Sequence, residues 1–136
     1  MACIFCKIAT HEADSKTVYE DEEVMAFLDT NPISIGHTLI IPKKHYENVF
    51  DIESGTLEQI ASISKRLALI YKKALAVKAV NLLNASGKEA QQSVFHFHLH
   101  IVPREENDGI DLWFHGKPEA KNELEKTLEK IKDAMK

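Results

Sequence analysis

The chain has 136 residues, 44% of them hydrophobic, and a formal net charge of −4, which predicts a single globular domain with its own core. The acidic excess argues against a nucleic-acid polymer as partner, because a protein that neutralises phosphate backbones needs a basic face. No apolar run approaches the ~20 residues that span a bilayer, and the N-terminus has no basic segment followed by an apolar one. We therefore expect a cytoplasmic protein that neither enters a membrane nor carries a signal peptide.

The hydrophobic pattern predicts strands and helices in a clear order along the chain. Short β-branched and aromatic segments bounded by Asp, Asn, Gly and Pro predict strands, whereas apolar residues that recur every three or four positions predict helices. The predicted strands cover residues 17–20, 24–29, 37–41, 81–84 and 95–102, and the predicted helices cover residues 56–79 and 117–136. Clustered strands with few, unevenly placed helices indicate an α+β fold with a mostly antiparallel sheet.

The last predicted strand carries three histidines at alternate positions, His96, His98 and His100. Side chains of a strand alternate between its faces, so the three imidazoles share one face and the opposite face, under the long helix, holds Phe95, Phe97, Leu99 and Ile101. A rise of about 3.3 Å per residue separates the outer two Cα atoms by roughly 13 Å, too far for three rings to close on one ion. We therefore predict that metal binding and catalysis are divided among them.

The two cysteines of the chain, Cys3 and Cys6, form a C-x-x-C pair. They should stay reduced in the cytoplasm, where such a pair is either a redox dithiol or half of a zinc site. No βαβ pattern typical of a thioredoxin-like protein surrounds the pair. A structural zinc site needs two further nitrogen or sulfur donors, and the pair alone leaves both interpretations open.

The histidine segment, residues 95–102, resembles the signature of the histidine triad (HIT) superfamily, in which three histidines alternate with hydrophobic residues. The resemblance extends over residues 3–104 and includes Phe27-Leu28-Asp29 and the run from Gly36 to His45. The Hint branch, and the bacterial zinc-containing members within it, are the most similar. This resemblance implies a HIT-like α+β fold: a five-stranded, mostly antiparallel sheet, one long amphipathic helix and a C-terminal helix. The single domain spans residues 1–136, with a variable segment at 105–136, and is expected to form a homodimer.

The resemblance also implies a structural zinc ion, one per chain, held by Cys3, Cys6, His45 and His96. A closed Cys2His2 set leaves no open position for water, and nothing in the sequence requires magnesium. The zinc would join the N-terminal segment and the loop after the third strand to the start of the histidine segment. His98 and His100 would then face the substrate.

Catalytic roles follow from the same resemblance. His98 matches the family's nucleophile, which attacks the α-phosphorus of a purine nucleoside phosphoramidate or a related nucleotide and forms a nucleotidyl-histidine. His100 would donate a hydrogen bond to a non-bridging phosphate oxygen, and Ser93 would help to protonate or position the leaving group. His37 would support the active site from behind.

Further positions match the family's substrate-binding residues. Asp29 matches its ribose-binding carboxylate, although an aspartate before Pro32 is also a common turn residue. Asn84 would lie beside the sugar and phosphate, and backbone N–H groups around Gln92 would bind phosphate oxygens. The base would lie against an apolar wall formed by Ile4, Phe5, Ile8 and Phe27. The alternative is that these four side chains belong only to the hydrophobic core. One departure is Gln91, which stands where the family usually has glycine, and we expect this side chain to alter the local phosphate contacts.

Other functions remain open at this stage. Hydrolysis of dinucleoside polyphosphates would use the same His98 chemistry with a different leaving group. Nucleotidyl transfer to a sugar phosphate is disfavoured, because those enzymes are much longer. A non-catalytic nucleotide sensor or scaffold would bind without turnover, and a zinc-only interaction module would not bind nucleotides at all.

Overall fold

The computed structural model describes residues 3–136 and places five strands in one antiparallel sheet within that range. Met1 and Ala2, which belong to the predicted single domain, lie outside the described residues. The strands are β1 (Thr17–Glu20), β2 (Val24–Leu28), β3 (Thr38–Pro42), β4 (Ala79–Leu83) and β5 (Leu99–Arg104). Their order in the sheet is β1-β2-β3-β5-β4, which confirms the predicted α+β class. The helices are α1 (Ile4–Ala9), α2 (Ser54–Ala74), α3 (Pro118–Lys121) and α4 (Leu124–Ala134), with a 3-10 turn at Lys88–Ala90.

Helices cover both faces of the central strands, so β2 and β3 are buried on both sides. The two-residue period of a strand divides their side chains between two apolar clusters among the described residues. The cluster under α2 contains Val24, Ala26, Ile40, Ile60, Leu67, Phe97 and Ile101. The cluster under α1 contains Phe5, Ile8, Met25, Phe27, Leu39 and Ile41. The small helix α1 therefore has its own core, which continues into the site described below.

The histidine segment is a strand only in its second half, so the predicted strand at 95–102 was wrong at both ends. The residues from Phe95 to His98 are irregular, because the Phe97 N–H donates to the Tyr46 carbonyl (2.7 Å) instead of to a sheet neighbour. Phe95 is 45% exposed rather than buried under α2. At the other end β5 continues through Pro103 to Arg104. This extension pairs with β4, whereas the pairing of β5 with β3 ends at Ile101. On the β3 side, Pro103 therefore has no strand neighbour that would need a backbone N–H donor.

The long helix ends five residues earlier than the pattern predicted, at Ala74. Ala76 takes a left-handed conformation (φ 55°), and the N–H groups of Leu75 and Val77 return to the Tyr71 carbonyl. This turn places Val77 in the α2 core cluster and starts β4 two residues earlier than predicted. Burial of Val77 thus outweighs the continued helical pattern.

The C-terminal segment is helical as predicted over most of its length, but it divides into α3 and α4. Every residue of α4 is exposed, including those of its apolar stripe: Leu124, Leu128 and Ile131. Within residues 3–136, no helix combines the length and the apolar character that crossing a bilayer requires. The cytoplasmic location stays a prediction.

Candidate functional site

Helix α1 brings the two cysteines together. Cys3 is the N-cap residue of α1, and its Sγ accepts a hydrogen bond from the Cys6 N–H (3.4 Å). Phe5, between them, points into the core and contacts Phe27 edge-to-face, with ring centroids 5.6 Å apart. The same ring contacts His96 and His98 at centroid distances of 5.9 and 5.2 Å. The cysteine pair and the histidine segment are thus joined through one aromatic side chain.

The four residues predicted to bind zinc, Cys3, Cys6, His45 and His96, form one group of candidate ligands, the metal cluster. Their ligand atoms all lie within 4.8 Å of one another. His96 Nδ1 lies 3.4 Å from Cys3 Sγ, 3.5 Å from Cys6 Sγ and 3.2 Å from His45 Nδ1. Cys6 Sγ lies 3.3 Å from His45 Nδ1.

These distances fit a tetrahedral zinc site. Bonds of about 2.0 Å to nitrogen and 2.3 Å to sulfur place two nitrogens about 3.3 Å apart, and a sulfur and a nitrogen about 3.5 Å apart. Two thiols and two imidazoles are also the donors that zinc prefers in structural sites. Burial raises the pKa of the Cys6 thiol, and the neighbouring Cys3 raises it further, so the Cys6 thiol favours the protonated state. The cluster is therefore compatible with a zinc site.

His96 is oriented for metal binding by a second contact. It is fully buried, and its Nε2–H donates to the carbonyl of Pro42 at the end of β3 (2.7 Å). This bond leaves the lone pair of Nδ1 for the cluster, an arrangement typical of metal-bound histidines. Burial lowers the pKa of His96 to about 4, so the ring is neutral at physiological pH.

A cleft of about 380 Å³ opens beside the metal cluster, between α1, the end of β2 and the histidine segment. This volume suits a small-molecule ligand. Eight of the predicted site residues line it: Ile4, Phe5, Ile8, Phe27, Asp29, Ser93, His98 and His100. Other residues of the cleft wall were not predicted from the sequence, among them Asp14, Ser15 and Asn31. They lie on connecting segments and carry no motif that would have singled them out.

The central histidine, His98, presents one nitrogen to this cleft. Its Nδ1 lies 2.8 Å from the His96 carbonyl, which can only accept, so Nδ1 carries the proton. The unprotonated Nε2 is left with its lone pair. Burial lowers the pKa of His98 below its ordinary 6.5, which favours the neutral ring at physiological pH. A neutral imidazole of fixed tautomer can act as a nucleophile.

The third histidine, His100, is supported by His37 and Asp29. His37 Nε2 lies 3.0 Å from His100 Nδ1, and the other nitrogen of His37 accepts from the Ile33 N–H (3.2 Å). Asp29 uses Oδ1 to accept from the Asn31 N–H (2.9 Å), whereas its Oδ2 lies 3.7 Å from His37 Nε2. Asp29 is thus both a turn residue and part of the cleft wall. Burial lowers the pKa of His100 to about 4.

Two residues predicted to contact the substrate, Asn84 and Gln92, have side chains that make internal contacts. Asn84 donates from Nδ2 to the His98 carbonyl (3.0 Å) and accepts from Ser86 Oγ (2.7 Å). The Gln92 side chain is buried, and it links the Gly87 N–H to the carbonyl of Glu47. Asn84 therefore holds the backbone of His98, and Gln92 holds the backbone next to Ser93.

Gln91 retains the backbone conformation that glycine favours at this position. Its φ and ψ are 68° and 31°, in the left-handed region. The substitution therefore leaves the turn geometry in place, at the energetic cost that a side chain has there. The turn leads through Gln92 into the exposed Ser93 at the cleft.

Comparisons with known proteins agree with this architecture. The HIT domain family profile matches residues 10–107. An uncharacterised HIT-like protein of Methanocaldococcus jannaschii is 44% identical over 131 residues, which cover 96% of this chain and 98% of that protein. The crystal structure of a zinc-bound histidine triad family protein from Mycobacterium smegmatis is similar at a TM-score of 0.78 and 33% identity, covering 100% of this chain and 99% of that one.

Two further relatives carry functional names. A HIT family hydrolase from Legionella pneumophila matches at a TM-score of 0.70 and 34% identity, over 77% of this chain and 95% of that one. An adenylylsulfatase of Arabidopsis thaliana is 40% identical over 106 residues, which are 78% of this chain and 54% of that protein. The profile match runs from the residue after α1 to beyond the end of β5 and includes the three histidines, and the chain belongs to the HIT family.

Proposed function

We propose that the protein is a nucleotide hydrolase or nucleotidyl transferase. It would act at the α-phosphate of purine nucleoside phosphoramidates or related nucleotides, through a nucleotidyl-histidine. The observation that carries this proposal is the state of His98. Its Nδ1–H is held by the His96 carbonyl, so the lone pair of Nε2 is left for an electrophile in the cleft.

The reaction proceeds in two displacements. His98 Nε2 bonds to the α-phosphorus while the bond from phosphorus to the leaving amine breaks, and the amine takes up a proton. Ser93, which is exposed at the cleft, would donate or relay that proton. A water oxygen then bonds to phosphorus and releases a proton to solvent, the bond from phosphorus to Nε2 breaks, and a nucleoside monophosphate leaves. His100 donates to a non-bridging oxygen and stabilises the charge that develops on it.

The cleft wall supports binding of a purine ribonucleotide. Phe5, Phe27, Ile4 and Ile8 provide an apolar surface for the base. The free carboxylate oxygen of Asp29 is suited to accept from the ribose hydroxyls. Backbone N–H groups near Gln92 would contact the phosphate, and Asn84 contributes by holding the backbone of His98.

The proposal includes one structural zinc ion per chain, held by Cys3, Cys6, His45 and His96. Such an ion would supply coordination bonds that tie α1 to the histidine segment. Because α1 carries Phe5 and Ile8 into the cleft wall, this tie would keep the base-binding surface in place. His96 takes no part in the displacement steps.

A homodimer is also part of the proposal. β4 is an edge strand of the sheet, and apolar side chains are exposed on it, on α2 and on α4: Leu82, Leu69 and Ile131. Exposed apolar surface of this kind is typical of subunit contacts. Sedimentation velocity should give twice the 15.4 kDa chain mass, and a monomer at micromolar concentration would contradict the dimer.

The activity is tested by product formation from an adenosine phosphoramidate. Wild type and His11→Ala, whose altered side chain is exposed away from the cleft, should both release AMP at similar rates. His98→Ala should lose more than about a thousandfold in kcat, because no other cleft nitrogen has the same fixed lone pair. Nucleotide binding that survives His98→Ala, with no turnover by wild type, would identify a sensor instead.

The leaving group is tested separately. We expect the largest kcat/KM for the phosphoramidate among three adenylylated substrates that share the same α-phosphate chemistry: an adenosine phosphoramidate, a dinucleoside polyphosphate and adenylyl sulfate. The third is included because an adenylylsulfatase is among the relatives. A larger kcat/KM for the dinucleoside would instead favour polyphosphate hydrolysis.

A further inference from the structure

His37 is a buried histidine that the displacement steps leave without a role. It lies behind His100, with 4% of its surface exposed, and both of its ring nitrogens are engaged. Nδ1 lies 3.2 Å from the Ile33 backbone nitrogen, and Nε2 lies 3.0 Å from His100 Nδ1. The two imidazoles are tilted by 32°, with ring centroids 5.2 Å apart.

The Ile33 N–H determines where the proton of His37 lies. A backbone N–H can only donate, so His37 Nδ1 must accept and carries no proton. Burial lowers the pKa of His37, which favours the neutral ring, and its single proton is therefore on Nε2. The opposite tautomer would point two N–H groups at each other and would lose the hydrogen bond to Ile33.

The proton on His37 Nε2 then determines the tautomer of His100. Two acceptors lie near it, His100 Nδ1 at 3.0 Å and Asp29 Oδ2 at 3.7 Å, and only the first is within hydrogen-bond distance. His100 Nδ1 accepts this proton, so His100 carries its own proton on Nε2. That nitrogen is then a donor and cannot accept.

We propose that His37 is a positioning residue that fixes His100 as a hydrogen-bond donor toward an anionic phosphate oxygen, through a relay that starts at the Ile33 N–H. The assignment of the phosphate as acceptor rests on the proposed function, whereas the relay itself does not. His98, two residues earlier, receives the opposite assignment, because the His96 carbonyl keeps the proton of His98 on Nδ1. A backbone N–H and a backbone carbonyl thus make one imidazole a donor and its neighbour a nucleophile.

The relay is tested by two-bond proton–nitrogen NMR of histidine-labelled protein without nucleotide. Wild type should show His100 with its proton on Nε2 alone and His98 with its proton on Nδ1 alone. In His37→Phe the His100 signals should move to a mixture of tautomers, while the His98 pattern stays as an internal control of the fold. His37→Gln, whose amide N–H can occupy the position of Nε2, should restore the wild-type pattern.

Turnover separates positioning from a merely structural role. Relative to wild type, kcat should fall about tenfold or more in His37→Phe, with a smaller change in KM, and should recover to within about threefold in His37→Gln. A wild-type His100 with its proton on Nδ1 would overturn the relay, as would an unchanged tautomer and kcat in His37→Phe. The expected tautomers together with no turnover by wild type would refute the proposed function and leave the relay intact.

Discussion

The two ends of the histidine segment each hold an imidazole by one N–H group, but the donating nitrogen differs between them. At the metal end, His96 gives its Nε2–H to the Pro42 carbonyl and turns Nδ1 toward Cys3, Cys6 and His45. At the cleft end, His98 gives its Nδ1–H to the His96 carbonyl and keeps the lone pair on Nε2. Residue type alone therefore does not decide the task of each imidazole. The backbone group that holds one nitrogen decides which nitrogen is left for a ligand.

The two ends are also connected, because Phe5 contacts both His96 and His98. Changes at the metal end should therefore reach the cleft through α1, whereas changes at the cleft should leave the metal cluster intact. Variants at the two ends of the segment test this difference.

The largest expected effect is loss of the metal cluster in Cys6→Ser. We expect the bound zinc to fall well below one per chain and the free energy of unfolding to drop by about 3 kcal/mol or more, because zinc binding is coupled to folding. Lys7→Ala, an exposed change on the same helix, is the matched control. Metal analysis and thermal unfolding measure both effects, and a Cys6→Ser protein as stable as Lys7→Ala would refute a structural zinc.

A smaller effect is expected from pH at the cleft end. Burial lowers the pKa of His100 from 6.5 to about 4, so the unfolded state binds more protons between these values. Stability should therefore fall as the pH is lowered from 6.5 to 4, and His100 should account for about 2 kcal/mol of this loss. Urea unfolding of wild type and His100→Gln isolates this share, because both proteins keep the metal cluster. Parallel pH profiles would contradict it.

Asp29→Asn should lower kcat/KM for a ribonucleotide substrate about tenfold, because an amide oxygen accepts hydrogen bonds from hydroxyl groups less well than a carboxylate does. The asparagine keeps the Oδ1 that caps the Asn31 N–H, so the fold should be unchanged. A 2′-deoxy substrate should be affected less than its ribonucleotide counterpart. Equal losses for both substrates would argue that Asp29 does not contact the sugar.

The smallest effect concerns the left-handed turn before Ser93. Gln91→Gly should raise the free energy of unfolding by up to about 1 kcal/mol, since glycine adopts a positive φ without a steric cost. Ala76→Gly, at a similar φ of 55° at the end of α2, should stabilise comparably and leave kcat/KM unchanged. If Gln91→Gly destabilises the protein, the side chain has a role beyond this turn.

The sequence predicted which residues meet at the candidate site better than it predicted their backbone conformation. Alternation placed His98 and His100 together, and the C-x-x-C spacing marked Cys3 and Cys6 as either a redox or a metal pair, because both patterns are local. The family resemblance then favoured the metal. His45 was assigned only through the family resemblance, since nothing in its neighbourhood shows that it meets His96 across 51 positions.

The errors arose where a distant partner decided the conformation. The Phe97 N–H bonds to Tyr46, which keeps residues 95–98 out of the sheet, and no periodicity contains that information. The hydrogen bond from the Ile33 N–H to His37 could not be predicted from the sequence for a different reason. It depends on the loop before β3, whose shape follows from the fold as a whole.

The proposed mechanism requires that His98 Nε2 forms a bond to phosphorus. Intact-mass measurement after a brief, acid-free quench with a slow adenosine phosphoramidate tests it most directly. Wild type should gain the mass of one adenylyl group, fragmentation should place it on His98, and His98→Ala should gain nothing. An unmodified wild type that still releases AMP under single-turnover conditions would contradict the covalent mechanism.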